Sequence, residues 1–231
     1  MKKEDNKHIL VWPDLAIMEL LTAVTLTIIL LVWALLVNAP LLELANPGIS
    51  ENPSKAPWYF VGLQELLVYF DPWIAGVVIP AIIIVCLMII PYIDNNPAGS
   101  GRYSFSLRKF ALINFNIGFL MWLLLIFIGY FLRGPNWQFY WPWEPWEALK
   151  QVAENLWSLS PAAGLAGLAV YFGSGIVIPR LINPAFYKRC GLKRYIIVMT
   201  AILLMYAVPL KIFLRIAFNI QYVLVTPWFN I

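Results

Sequence analysis

Apolar residues gather in five long runs, at about 15–37, 73–91, 110–132, 162–181 and 195–217, separated by polar or mixed stretches. Each is close to the roughly 20 apolar residues that a helix needs to cross the bilayer, and no ten-residue alternation of the barrel type appears. The pattern predicts an all-α integral membrane protein with about five transmembrane helices. Punctuation supports the boundaries: Asp71-Pro72 and Ser160-Pro161 each read as a capping side chain followed by proline at the first helical position. Pro80 and Pro209 fall inside runs, where the missing N–H predicts a kink. Ala162/Ala166 and Ala169/Gly173, small residues four apart, predict a face that another helix approaches closely. The last span is expected to end near Pro209 or Leu210, with "KIFLRIAFNIQYVLVTPWFNI" lying along the surface, because Lys211 and Arg215 are one turn apart.

One stretch between the first two runs breaks the pattern, "NPSKAPWYFVGLQELLVYFDPW" at 52–73. From Pro57 to Phe70 it predicts a helix of about 14 residues, roughly 21 Å long, short of a hydrocarbon span of about 30 Å. It is expected to lie on or dip into one membrane surface. At helical spacing Trp58, Gly62, Glu65 and Tyr69 share a stripe, flanked by Tyr59 and Phe60, with Leu63, Leu66 and Leu67 on the opposite faces. Burial in such company disfavours the charged form of a carboxylate, which suits Glu65 to accept a proton near neutral pH. The plainer alternative is that Glu65 points to water or pairs with Lys55. Asp71 is better explained as a helix cap than as a second acid.

With 61% hydrophobic and 12% charged residues in 231, the chain carries about half the charge of a soluble domain. The basic residues sort by loop. With the N-terminus inside, eleven cations (Lys2, Lys3, Lys7, Arg102, Arg108, Lys109, Arg180, Lys188, Arg189, Lys193, Arg194) lie inside against five outside (Lys55, Arg133, Lys150, Lys211, Arg215). That bias places the 38–72 and 133–161 loops on the outer side. The aromatic stretch "NWQFYWPWEPW" at 136–146 then sits at headgroup level. The first run exceeds 20 residues without a small-residue cleavage site and is read as a retained helix rather than a signal peptide. No nucleic-acid or phosphate-loop motif is present. Cys86 in a run and Cys190 in a basic loop predict neither a disulfide nor a thiolate metal site.

The single histidine, His8, lies in the polar N-terminal segment and reads as a solvated or interfacial residue. A b-type haem between two helices needs two axial ligands at membrane depth, so this polypeptide cannot by itself house a bis-histidine haem.

The chain resembles the C-terminal part of cytochrome b, the piece that is a separate polypeptide called subunit IV in plastoquinol-oxidising complexes. The residues that carry the resemblance are "WPDL" at 12–15, "ANPGISENPSKAPWYF" before the short helix, and "IPYIDNNPAGSGRYSFSLRKFA" as a basic inner loop. It covers about residues 12–132. The "RGPNW", "WPWEPW" and "FNIQYVLVTPWFNI" stretches look like variants of cytochrome b with extra C-terminal helices. The implied organisation is an inner-side segment 1–14, a subunit IV-like part 15–132, an outer aromatic loop 133–161, and additional helices and a surface tail over 162–231.

The resemblance implies a non-autonomous subunit of a proton-translocating quinol:cytochrome c oxidoreductase in an energy-transducing membrane, within a dimeric complex. Its outer loop would form one wall of a quinol oxidation site. Haem b and an iron-sulfur cluster would sit on partners: a haem-bearing N-terminal cytochrome b subunit, a Rieske iron-sulfur protein, and a cytochrome c-type subunit or carrier. The family's Pro-Glu-Trp-Tyr motif becomes Ala56-Pro57-Trp58-Tyr59 here, so Pro57 stands where the glutamate is expected. Glu65, two turns on, is the nearest replacement as proton acceptor, with Pro57, Trp58, Tyr59, Gly62 and Tyr69 as quinol-binding residues. Asp14 falls where related proteins carry an aspartate near an inner-side quinone site, or else caps the first helix. Glu19, further into the span, is expected to make a structural hydrogen bond. Arg102, Arg108 and Lys109 are expected to anchor to lipid phosphates. A rival function is a structural membrane anchor of a respiratory complex without its own quinol site; a small transporter fits poorly, since no inverted repeat is evident.

Overall fold

The computed structural model describes residues 10–39, 41, 44–94, 96, 98, 104–146, 150 and 155–231. His8 and Arg102 lie outside the described residues. Among the described residues five helices are long and apolar enough to cross a membrane, at Val11–Leu36, Ile74–Ile93, Lys109–Leu132, Pro161–Ile182 and Pro184–Phe218. They fall where the five apolar runs predict them. The chain divides into two compact units, Met1–Ser50 and Glu51–Ile231.

The first unit holds α1, Ala16–Leu36, preceded by a wide turn over Val11–Leu15. Asp14 lies in the first turn of that segment, but Leu10 occupies the capping position and no side chain caps it. The capping alternative for Asp14 is therefore not realised. Within α1 the hydroxyls of Thr22 and Thr27 donate to the carbonyls of Met18 and Ala23, each at 2.8 Å. That satisfies two polar groups inside an apolar helix without an outside partner.

The second unit opens with α2, Trp58–Leu66, which is nine residues long rather than the expected 14. After Leu66 the bonding tightens to i→i+3 steps, Val68 N–H to Glu65 carbonyl at 3.2 Å and Tyr69 N–H to Leu66 carbonyl at 3.0 Å. Asp71 then acts as the expected cap: Oδ1 accepts from Trp73 N–H at 3.0 Å and its carbonyl from Ala75 N–H at 2.9 Å. A wide turn over Ile74–Val78 leads into α3, Ile79–Ile93. Its position fits Pro80, whose ring clashes with the carbonyl four residues back, at Gly76.

Arg108 closes the connection to α4, Lys109–Phe127, by pairing with Asp94 and donating to the carbonyls of Asn96 at 2.6 Å and Ala98 at 3.1 Å. These three contacts tie it to its own loop. α4 continues into a wide turn over Ile128–Leu132.

α5, Pro161–Ile182, starts as predicted, with Ser160 Oγ accepting from Ala163 N–H at 3.4 Å. It packs against α6, Pro184–Phe218. The packing face is not the one the small-residue pairs suggested. Ala162, Ala166, Ala169 and Gly173 are exposed, whereas Gly164, Leu168, Tyr171 and Gly175 turn inward. A Cβ at Gly175 would collide with the Leu203 side chain, and Tyr171 donates to the Leu203 carbonyl at 2.7 Å. The aromatic hydroxyl wants an acceptor in an apolar setting, and this decides the face. α6 breaks at Gly191, where φ is 71°, and otherwise runs past Pro209 to Phe218, stopping at Asn219 in a left-handed conformation. The last span thus ends two turns later than expected, and Lys211 and Arg215 are helical residues.

Candidate functional site

α2 is too short to be stable alone and is held by packing. Its closest neighbour is α4 with the wide turn that follows it. Two glycines make the approach possible. A Cβ at Gly62 would lie 3.2 Å from Ile126 Cγ1, and one at Gly129 would lie 3.1 Å from the Val61 carbonyl oxygen and 3.6 Å from Glu65 Cβ. Below this crossing, Leu66, Tyr69, Phe70, Ile74, Ala75 and Leu125 form a buried cluster.

Glu65 points into this crossing and is fully buried. Its partner is Arg133, the first residue beyond the turn that ends α4, itself 7% exposed. Arg133 Nε donates to Oε2 at 2.8 Å and Nη2 to Oε1 at 2.7 Å, a bidentate fork. Tyr69, one turn beyond Glu65, donates its hydroxyl to Oε1 at 3.0 Å. Arg133 Nη1 donates to the Trp137 carbonyl at 3.1 Å. Burial, with the Glu65 charge adding to it, pushes the Tyr69 phenol up to about 12. Burial works against the Arg133 charge, but the Glu65 carboxylate outweighs it and holds the guanidinium above its ordinary range.

The start of α2 is fixed separately. Lys55 does not reach Glu65; it donates to the Tyr130 carbonyl at 2.5 Å and lies 4.5 Å from the Trp146 ring centroid. Burial pulls its ammonium below the usual lysine range. Gln64 folds back to bridge Ala56 N–H at 2.9 Å and the Ser54 carbonyl at 2.9 Å. Asn52 and Asn136 exchange two hydrogen bonds, Nδ2 to Oδ1 at 2.9 Å and Asn136 N–H to Asn52 Oδ1 at 2.6 Å.

The sequence-predicted stripe therefore splits. Gly62, Glu65 and Tyr69 turn inward, with Leu66, which was expected on an opposite face. Pro57, Trp58 and Tyr59 stay exposed, with Trp58 at 64% and Tyr59 at 51%, their rings edge to face at 5.6 Å. The reason lies in the α4 crossing: α2 buries the side where Gly62 lets a neighbour approach, and the first turn projects past it. Asp14 belongs to the other unit, Met1–Ser50. Among the described residues no three of His, Cys, Asp and Glu gather as a metal site.

Two residues of this neighbourhood were missed as site residues. Arg133 was counted only among loop cations, although a buried carboxylate demands a cation and Arg133 directly bounds the third apolar run. Lys211 was read as interfacial but is 4% exposed, donating to the carbonyl of Tyr69 at 3.1 Å. Its signal was a lysine within an apolar run.

Compared with known families, residues 44–132 match the family described as cytochrome b(C-terminal)/b6/petD. This bears out the resemblance over that segment, which includes α2, α3 and α4; "WPDL" at 12–15 and everything from Arg133 onward lie outside it. No match is found among curated proteins or among solved structures.

Proposed function

Taking residues 44–132 as a segment of the cytochrome b C-terminal kind, we propose that the chain is a non-autonomous subunit of a membrane quinol:cytochrome c (or similar acceptor) oxidoreductase. The observation that carries this reading is the family match, which spans the short helix and the two crossings after it. In this reading α2 is one wall of the quinol oxidation site, on the outer side given by the loop charges. The exposed rings of Trp58 and Tyr59 offer a flat apolar surface to a quinol head, with Pro57 fixing the turn that presents them.

The quinol supplies two electrons and two protons. One histidine in the whole chain cannot ligate a bis-histidine haem, so the electrons leave to centres on partners, a haem-bearing cytochrome b subunit and a Rieske-type iron-sulfur protein. Glu65 is the proposed proton acceptor of the wall, and the pairing sets its precondition. Both of its oxygens are engaged by Arg133, so Glu65 takes a proton only when the guanidinium releases one of them. Until then the pair positions α2 against α4.

The anchor reading, without a quinol site, is favoured by one observation: Pro57 cannot accept a proton, and the nearest carboxylate is already engaged. A photoreactive quinol analogue separates the two. In the purified complex it is expected to label the Pro57–Gly62 segment, with Trp58→Ala raising the quinol KM at unchanged haem content. Absence of labelling, or purification of the chain without any haem-bearing partner, would overturn the quinol reading.

A further inference from the structure

Beyond the segment that matches the family, one buried charge has no counter-charge. Lys211, on the penultimate turns of α6, is 4% exposed, and none of the ion pairs among the described residues includes it. Its ammonium instead meets three backbone carbonyls: Gln221 at 2.7 Å, Tyr69 at 3.1 Å and Ile220 at 3.4 Å. Three donors meet three acceptors, which a neutral side chain of the same reach does not supply. Burying a cation is costly, so the arrangement holds only because the carbonyls repay it together.

The three carbonyls belong to two parts of the chain. Tyr69 is the end of the turn that follows α2, and Ile220 and Gln221 begin the tail after α6. The tail is itself tied down: Gln221 N–H donates to the Trp157 carbonyl at 2.8 Å, Trp157 N–H to Asn219 carbonyl at 3.2 Å, and Leu159 N–H to Tyr222 carbonyl at 3.0 Å. Gly164 of α5 lies directly under the Val223 carbonyl, where a Cβ would collide. Ile231 packs on the buried cluster that contains Leu66, Tyr69 and Phe70.

We propose that Lys211 is a positioning residue for the α2 wall: it locks the wall's trailing turn to α6 and the C-terminal tail, so the region after residue 132 sets the shape of the quinol surface. The proposal rests on the quinol reading for its functional half. Arg133 holds the last turn of α2 and Lys211 the turn that follows it, which makes the helices outside the family match part of the site's frame rather than an addition beside it.

The test compares wild-type, Lys211→Met and Trp58→Ala forms of the intact complex by amide hydrogen exchange and by quinol kinetics. Lys211→Met is expected to speed exchange of the Leu67–Phe70 amides by about tenfold, the loss of one charged hydrogen-bond anchor, while α3 and α4 amides keep their rates. The quinol KM is expected to rise several-fold with kcat and haem content near wild type. Unchanged exchange at 67–70 overturns the brace. Faster exchange with an unchanged KM, while Trp58→Ala raises KM, overturns the positioning role; an unchanged KM in both variants places the fault in the quinol reading instead. If Lys211→Met does not assemble, Lys211→Gln keeps part of the donor set and carries the same readouts, with an exchange increase of about threefold expected.

Discussion

Arg133 grips both carboxylate oxygens of Glu65 across 68 positions of sequence, at 2.7 and 2.8 Å, in a place where the carboxylate is fully buried and the guanidinium nearly so. An exposed pair of this kind stabilises by about 0–1 kcal/mol. A buried pair behaves differently, because removing one partner strands the other charge, at a cost of about 3–5 kcal/mol. Arg133→Met is therefore expected to lower the unfolding free energy by an amount of that order. Adding Glu65→Gln to it should cost far less than Glu65→Gln alone. A double-mutant cycle on the purified complex, read by thermal unfolding, checks this; additive costs would mean the two side chains do not act as one unit.

The Tyr69 phenol, pushed up to about 12 by burial and by the Glu65 charge, gives a pH signature. Its folded value lies above the ordinary tyrosine value of about 10, so its contribution to stability is fully present below pH about 10 and is lost as pH rises toward 12. The difference spectrum between wild type and Tyr69→Phe should show no phenolate band until well above pH 10. A band centred near pH 10 would show that the hydroxyl is not held by Glu65.

Gly129 is where α4's extension meets α2, with the Val61 carbonyl 3.1 Å from the place of a Cβ. Gly129→Leu should push α2 away from the crossing and loosen the fork. On the proposed quinol reading the expected outcome is a loss of quinol oxidation of tenfold or more, about 1.4 kcal/mol, with haem content intact. Normal turnover in this variant would show that the position of α2 does not matter for the reaction.

Lys55 offers a contrast in magnitude. It rests on the Trp146 ring and the Tyr130 carbonyl but is only partly buried. A cation on a ring in such a setting contributes about 0.5–1 kcal/mol. Lys55→Ala should thus shift thermal stability by about that much, several times less than Arg133→Met. An effect equal to that of Arg133→Met would mean that α2 is anchored at its start as firmly as at its end.

The five spans were legible because hydrophobic length is a local property, and the caps at Asp71 and Ser160 were legible because capping needs only neighbours in sequence. The inward face of α5 was not. Small residues at 162, 166, 169 and 173 and glycines at 164 and 175 give competing faces, and the choice depends on where Leu203 and Val223 lie. The site shows the same division. Glu65 stood out as a carboxylate among apolar neighbours, and its burial followed from that pattern. Its partner did not stand out, because a pairing over 68 residues is a property of two helices crossing and leaves no period in the sequence. The end of α2 was overestimated because Leu67–Phe70 carry apolar residues at helical spacing, yet the N–H groups of Val68 and Tyr69 turn to carbonyls only three residues back and the α-helix closes at Leu66.

The distance between Glu65 and Arg133 also has a meaning in time. At about 5–20 residues per second, the ribosome delivers the carboxylate roughly 3–14 s before the guanidinium it will bind. During that interval α3 and α4 are made, while the Glu65 carboxylate on α2 still lacks its cation. A chain released or cleaved before Arg133 would therefore hold its first three spans and the α2–α4 glycine contacts, but would leave the Glu65 carboxylate in that crossing without its cation.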